Sequence, residues 1–135
     1  MHVGIIYSTD KKVIEKIAQG LEKGLQEQGH TVKLFPDSAE AFGGLAVCRY
    51  LFVGTYANAA FKPKTPARLR DALAKIPGIA GKRSTAFVLR GGMGERKALL
   101  SQMNDMEKQG CFLVDQVTLG SENDAREFGR TTRLK

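Results

Sequence analysis

Three short segments of the sequence carry residue types that bind anions or let a ligand approach the backbone. They are residues 8–13, 55–64 and 90–97, and each follows an apolar run and leads into a helical pattern. Hydroxyls and lysines dominate the first segment, and the free N–H groups and dipole of the helix that it opens favour an anion. Glycines mark the third segment, where the backbone can come close to a ligand. These residue types indicate a site that binds an anion.

Positive charge is concentrated in these segments. Only Asp10 and Glu95 oppose it, and the whole chain has a formal net charge of +7 at pH 7. A single long basic side chain is usually just solvated, but several at one rim focus positive potential there. We therefore expect an anionic small molecule or an acidic partner to bind. The residues of this basic rim are Lys11, Lys12, Lys62, Lys64, Arg90, Arg96 and Lys97.

Five runs of the sequence are typical of β-strands, and helical patterns alternate with them. The first, third and fourth runs are almost continuously apolar, as strands buried on both faces are. The second run alternates, as an outer strand does, and the loop after it has room for about one helical turn. The predicted strands cover residues 2–7, 31–35, 50–54, 85–89 and 111–119.

Capping residues predict where several helices begin and end. Gly29 is placed to end the first helix in the left-handed conformation. Thr65 followed by Pro66 predicts a helix start, with the threonine hydroxyl as the cap and the proline in the first turn. Ser121, with Asp124 three residues later, resembles the capping box of a last helix.

The alternation of strands and helices predicts an α/β fold. It implies a parallel sheet with helices on both faces, and right-handed crossovers leave few topologies. We expect one domain over residues 1–135. In open parallel sheets ligands bind beyond the carboxyl ends of the strands. The three segments are therefore expected to meet at one edge of the sheet.

Composition restricts the class of protein. The hydrophobic fraction of 42% suffices for a core, and no apolar run approaches the ~20 residues that cross a bilayer. Cys48 and Cys111 make no disulfide scaffold, and they lie on strands that should not be adjacent. Cysteines used in this way fit a reducing compartment, so we expect a cytoplasmic protein. We also expect it to be soluble and without membrane attachment, because it has no long apolar run. Nucleic acid is not expected as a partner, because no nucleic-acid motif occurs and the basic residues are not interleaved with aromatic ones.

Several kinds of site are excluded by the residues at the decisive positions. A phosphoacceptor receiver domain needs an aspartate after the third strand, where this chain has Thr55. Neither cysteine begins a Cys-x5-Arg phosphatase loop, and neither a P-loop nor the glycine spacing of a dinucleotide site occurs. His2 and His30 are too few and too separate for a metal cluster. Met93 is expected to pack within its own loop.

Nearly the whole chain resembles the flavodoxin family and its small FMN-dependent reductase relatives. The family's first strand, phosphate loop and first helix resemble I-I-Y-S-T-D-K-K-V-I-E-K-I-A. Its third strand and the loop with a flavin-stacking aromatic resemble R-Y-L-F-V-G-T-Y-A-N-A-A-F. Its fourth strand with the ligand loop resembles G-K-R-S-T-A-F-V-L-R-G-G-M-G. Its fifth strand with the last helix resembles V-T-L-G-S-E-N-D-A-R-E-F-G-R. The resemblance implies a three-layer, doubly wound, five-stranded parallel sheet in the order 2-1-3-4-5 that binds FMN and passes electrons.

The resemblance assigns the phosphate of FMN to the loop after the first strand. The family pattern Ser/Thr-x-Thr-Gly-x-Thr falls on residues 9–14, where Thr9 agrees but Lys12 and Ile14 replace the glycine and the last hydroxyl. This phosphate loop is therefore degenerate. A shifted alignment keeps two hydroxyl donors and uses two lysines as charge partners. The candidate phosphate-binding residues are Ser8, Thr9, Asp10, Lys11 and Lys12.

The resemblance also implies contacts between the flavin ring and the other two loops. Tyr56 would stack on the ring, with Phe61 in reserve, unless Tyr56 packs against the following helix instead. The backbone around Tyr56 and the side chain of Asn58 would face the ring edge. The glycines of the third loop would bring N–H groups to the polar side of the ring, unless they form only a tight turn. The candidate ring-binding residues are Thr55, Tyr56, Ala57, Asn58, Gly91, Gly92 and Gly94.

Two hypotheses of function remain open at this point. The first is a flavodoxin-like redox protein that binds FMN and acts as an electron carrier or a small reductase. The second is a flavin-free module of the same fold that recognises a phosphorylated ligand or an acidic partner through the basic rim. The degenerate phosphate loop motivates the second hypothesis. The second helix of the family is also nearly missing in this chain. Flavodoxins that carry electrons are typically acidic, so a redox partner of this basic chain would itself be acidic; a homodimer stays open.

Overall fold

The structure, a computed structural model, describes residues 1–134, and its strands and helices alternate as the sequence predicts. A short 3-10 helix at Leu45–Val47 directly follows the loop that was expected to hold one helical turn. No helix within the described range has the length and apolar composition that crossing a membrane requires. The elements are β1 (His2–Tyr7), α1 (Lys12–Glu27), β2 (Thr31–Pro36), β3 (Tyr50–Thr55), α2 (Ala67–Lys75), β4 (Arg83–Leu89), α3 (Glu95–Lys108), β5 (Phe112–Leu119) and α4 (Glu122–Thr131).

The five strands form one parallel sheet between two layers of helices. Their order is β2-β1-β3-β4-β5, which confirms the predicted topology. Successive strand residues point to opposite faces: Ile5 packs in the core with α1 and α4, whereas Ile6 packs in the core with α2 and α3. The free thiols of Cys48 and Cys111 are buried in the second of these cores. Burial on both faces explains why the central strands are almost continuously apolar.

Helices α1 and α4 contact each other through their backbones. A Cβ atom on Gly20 would lie 2.1 Å from the carbonyl oxygen of Glu122. A Cβ atom on Gly24 would lie 2.2 Å from the carbonyl oxygen of Arg126, and Gly129 faces this contact from α4. Glycine is the one residue that permits such an approach, because it has no side chain. These three glycines, the glycine seam, hold α4 against α1.

The predicted end of α1 and the predicted start of α4 are both confirmed. Gly29 follows the end of α1 with a φ of +93°, the left-handed conformation that stops a helix. The Oγ of Ser121 accepts a hydrogen bond from the N–H of Asp124 at 3.1 Å. The carboxylate of Asp124 in turn accepts from the N–H of Gly120 at 2.8 Å. Local sequence therefore sets both of these helix ends.

The predicted cap at the start of α2 is wrong. The helix begins at Ala67, and Pro66 precedes it with a ψ of 136°, so that the proline lies outside the first turn. Thr65 is buried, and its N–H donates to the Oγ of Ser101 in α3 at 3.2 Å. Its hydroxyl also lies 3.4 Å from that Oγ. The threonine therefore joins the loop to α3 and caps no helix.

Candidate functional site

The loops after β1, β3 and β4 lie side by side at the carboxyl edge of the sheet. Strands β1 and β4 both pair with β3 in parallel, so residues 8–11, 56–66 and 90–94 leave the sheet at one edge. The whole basic rim belongs to these loops or to the first turns of the helices after them, as expected. Within residues 1–134 only Arg90 of the rim forms an ion pair, with Asp124 at 3.2 Å. Most of its positive charge is therefore uncompensated.

The hydroxyl groups of the loop after β1 are bonded inside the protein. The Oγ of Ser8, which is fully buried, lies 2.7 Å from the Oγ1 of Thr55. The hydroxyl and the N–H of Thr9 both donate to Asp37 Oδ1, at 2.7 and 3.2 Å. The two predicted phosphate donors, Ser8 and Thr9, thus already have protein partners in this arrangement.

Asp37, which sequence reasoning missed, is the carboxylate that holds the loop after β1. It is 4% exposed, and its second oxygen, Oδ2, has no hydrogen-bond partner among the described residues. Burial raises the pKa of Asp37, the hydrogen bonds from Thr9 lower it, and the charge of Asp10 raises it. An acidic residue directly after β2, the strand beside β1, was the signal in the sequence. Two carboxylates therefore flank Thr9 where the resemblance places a phosphate.

Tyr56 is buried and lies beneath the first loop. Its side chain is 9% exposed and belongs to the core with α1 and α4. Its hydroxyl donates to Asp10 Oδ2 at 3.0 Å, and the Nζ of Lys11 lies 4.7 Å from its ring centroid. Burial and the carboxylate of Asp10 raise the pKa of Tyr56 to about 12. In this conformation the ring exposes little surface on which a flavin would stack.

We expect Tyr56→Phe to destabilise the protein by about 1 kcal/mol at neutral pH, because it removes a partly buried hydrogen bond. The variant should also lose less stability than the parent as the pH rises from 10 towards 12. The folded protein retains the phenol proton in that range while the unfolded chain releases it, so stability falls with pH. Urea unfolding across this range tests both expectations. An unchanged pH dependence in the variant would contradict the assignment.

The loop after β3 is braced by the side chains that were predicted to face the flavin. Thr55 is buried against Ser8, as described above. The Oδ1 of Asn58 accepts a hydrogen bond from the N–H of Lys64 at 3.2 Å and so closes the loop on itself. Ala57 between them is half-buried. These residues shape the loop, and its outward surface comes from residues further along.

Phe61 and Met93 expose apolar surface between the loops after β3 and β4. Their side chains are 75% and 77% exposed, and both line a cavity of about 410 Å³. The Nζ atoms of Lys97 and Lys62 lie 5.2 and 5.9 Å from the ring centroid of Phe61. The expected packing of Met93 within its loop is wrong, because its side chain lies in solvent. This Phe61–Met93 opening is an apolar surface bordered by cations.

The glycines after β4 fix the shape of this opening. Gly91, Gly92 and Gly94 have φ values of +110°, +77° and +87°, which other residues rarely adopt. A Cβ atom on Gly94 would lie 2.7 Å from the carbonyl oxygen of Ala59, so the two loops touch at this point. The N–H of Gly91 donates to Glu95 Oε2 at 2.6 Å. The N–H of Gly92 has no partner within residues 1–134 and is a free donor of the loop.

The sheet order, the helical layers and the loops at the carboxyl edge define a flavodoxin-like fold. The chain is similar to Megasphaera elsdenii flavodoxin in its two-electron reduced form, with a TM-score of 0.75, 17% identity, and coverage of 95% of this chain and 96% of that one. It is also similar to a cysteine-to-alanine mutant of Pseudomonas aeruginosa flavodoxin, with a TM-score of 0.74, 15% identity, and coverage of 96% and 94%.

A further similar structure is a diflavin flavoprotein from Nostoc sp., with a TM-score of 0.65, 16% identity, and coverage of 96% of this chain and 89% of that one. Neither a protein-family model nor a curated protein sequence matches the chain. At such low identities the likeness establishes the fold, and function has to be argued from the residues of this chain.

Proposed function

We propose that the chain binds FMN at the carboxyl edge and acts as a flavodoxin-like redox protein. The Phe61–Met93 opening carries this proposal, because exposed apolar surface bordered by Lys62 and Lys97 suits a flat ring with an anionic tail. The similar solved structures support it, since they are named as flavodoxins and a flavoprotein. FMN would supply the electron chemistry, and the chain would bind and orient it.

In this proposal Phe61 and Met93 contact the flavin ring in place of Tyr56. An aromatic ring and a thioether both pack favourably on a flat aromatic ligand. Both side chains are exposed, whereas Tyr56 is covered by the first loop and bonded to Asp10. The N–H of Gly92 supplies a donor for the polar edge of the ring.

The phosphate would be held by the start of α1 and not by the hydroxyls before it. The N-cap residue Lys11 makes no side-chain hydrogen bond to the first turn of the helix, so the turn can receive an external anion. The ammonium groups of Lys11 and Lys12 add charge on the same side. The carboxylates of Asp10 and Asp37 oppose a phosphate there, so the residues fit the ring better than the phosphate.

Titration of FMN and riboflavin fluorescence with the protein tests the proposal. We expect saturable quenching of both flavins, and about tenfold weaker binding of both after Phe61→Ala with Met93→Ala, since each loses packing on the ring. Phe112→Ala, which removes another exposed phenylalanine at the start of β5, should leave binding unchanged. A parent protein that quenches neither flavin would refute the proposed function.

One observation favours a second candidate function, a flavin-free module that binds a phosphorylated ligand or an acidic partner. Ser8 and Thr9 are satisfied by Thr55 and Asp37, so the degenerate phosphate loop needs no cofactor to complete it. The basic rim would then be the binding surface by itself. A protein that fails to quench FMN but binds phosphoserine with a steep salt dependence would favour this second function.

A further inference from the structure

A second basic cavity lies at the opposite, amino edge of the sheet. Its volume is about 560 Å³, and it is lined by Met1 and by residues 46–50 and 81–83. These segments lead into β3 and β4, whose first residues Tyr50 and Arg83 pair in register. The cavity is therefore separated by the full length of the strands from the Phe61–Met93 opening, and the proposed flavin site has no use for it.

Three basic side chains line this cavity, and among the described residues no carboxylate does. Arg49 and Arg83 stand at the starts of adjacent strands and are exposed, and within the described range neither forms an ion pair. Asp115 influences the pKa of the neighbouring Tyr50 but does not line the cavity. Like charges that line one cavity repel one another, and a bound anion relieves this repulsion.

The third cation, Lys82, is fixed in place by the backbone of the cavity wall. Its Nζ donates to the carbonyl oxygens of Cys48 and Ala46, at 2.7 and 3.2 Å. An ammonium group held in this way loses little freedom when an anion binds nearby. Solvated surface lysines usually lack such restraint, and this distinguishes the cavity from a merely solvated basic patch.

The cavity also offers apolar surface beside its charges. Val47 is 63% exposed at its rim, and Tyr50, which is buried, is among the lining residues. Guanidinium groups bind phosphate and carboxylate through paired hydrogen bonds. We propose that this amino-edge cavity binds a small oxyanion, a phosphate or a carboxylate, attached to an apolar group, with Arg49 and Arg83 as the oxyanion ligands and Val47 beside the apolar group.

Titration of the ¹⁵N-labelled protein with phenyl phosphate at constant ionic strength tests this site. We expect saturable amide shifts confined to residues 46–50 and 81–84. Arg49→Gln with Arg83→Gln should weaken binding at least about tenfold. The control, Lys16→Gln with Arg70→Gln, removes the same charge from exposed helix positions and should bind as the parent does. Arg49→Lys with Arg83→Lys keeps the charge without the paired donors and should fall between these two.

Two further probes separate the parts of the proposed ligand. Inorganic phosphate should bind more weakly than phenyl phosphate, and benzoate reports whether a carboxylate serves as well as a phosphate. Shifts that do not saturate, shifts that map to the carboxyl edge, equal affinity for inorganic phosphate, or unchanged binding after loss of both arginines would overturn the proposal. None of these readouts depends on flavin.

Discussion

Replacing Gly24 with alanine is expected to lower the free energy of unfolding by about 3 kcal/mol, because a methyl group has no room in the glycine seam. The added Cβ would lie 2.2 Å from the carbonyl oxygen of Arg126 and 2.7 Å from the N–H nitrogen of Arg130. Both atoms belong to the backbone of α4, so no side-chain rotation relieves the contact. Helix α4 must therefore move away from α1, and Phe128 of α4 then loses its packing against the core.

The higher helix propensity of alanine offsets part of this loss, so the measured destabilisation is a lower bound on the steric cost of the methyl group. Alanine favours a helix over glycine by about 1 kcal/mol, so a net destabilisation means that the steric cost is larger still. Gly43→Ala is the control, because its Cβ meets no atom within 4 Å and its backbone is not left-handed. Urea midpoints compare the two variants. Equal stability of Gly24→Ala and Gly43→Ala would show that the helices do not touch as described.

The architecture could be predicted because burial on both faces leaves a direct trace in a sequence. Strands such as β1 and β3 must be apolar at nearly every position, and the helices between them show an apolar stripe. The glycine seam left no comparable trace. Gly20 and Gly24 lie within the helical pattern of α1 and do not stand out there. They are needed because the backbone of α4 lies against them, and the sequence of α1 does not show which helix packs on it.

The site could be predicted as a place but not as a set of contacts. Parallel strand order brings the three loops together, and the charges of the basic rim follow from the loops that carry them. The partner of a loop side chain, however, comes from a distant segment: Asp37 bonds Thr9 across 28 residues, and Ser101 bonds Thr65 across 36. Tyr56 is buried for the same reason, since Asp10 reaches it from the first loop.

Replacing Asp37 with asparagine is expected to increase the preference of the protein for FMN over riboflavin about 30-fold. The two ligands share the ring and differ in the phosphate, which the proposed function places at the start of α1 beside this carboxylate. A like-charge contact of this kind costs about 2 kcal/mol or more. Asparagine keeps an oxygen that accepts the two hydrogen bonds of Thr9, so the loop stays in place.

The pH dependence supplies an independent check on the same charge. Because burial raises the pKa of Asp37, the folded protein binds its proton at a higher pH than the unfolded chain does. The parent should therefore gain stability from this group as the pH falls through the raised pKa, and Asp37→Asn should lack that gain. At neutral pH the variant should be as stable as the parent or more stable, since the buried charge is gone.

Flavin titrations of both proteins at neutral pH and at lower pH then test whether repulsion between charges causes the preference. The phosphate of FMN itself loses charge as the pH falls through about 6, and because repulsion scales with the product of the two charges, this loss also weakens the repulsion from an ionised Asp37. The difference in preference should shrink as the pH falls, because the charged fraction of Asp37 decreases and the repulsion of the phosphate decreases with it. Glu107→Gln removes an exposed charge far from the loop and should change neither ligand's affinity. If Asp37→Asn altered FMN and riboflavin equally, the carboxylate would act on the fold of the loop and not on the phosphate.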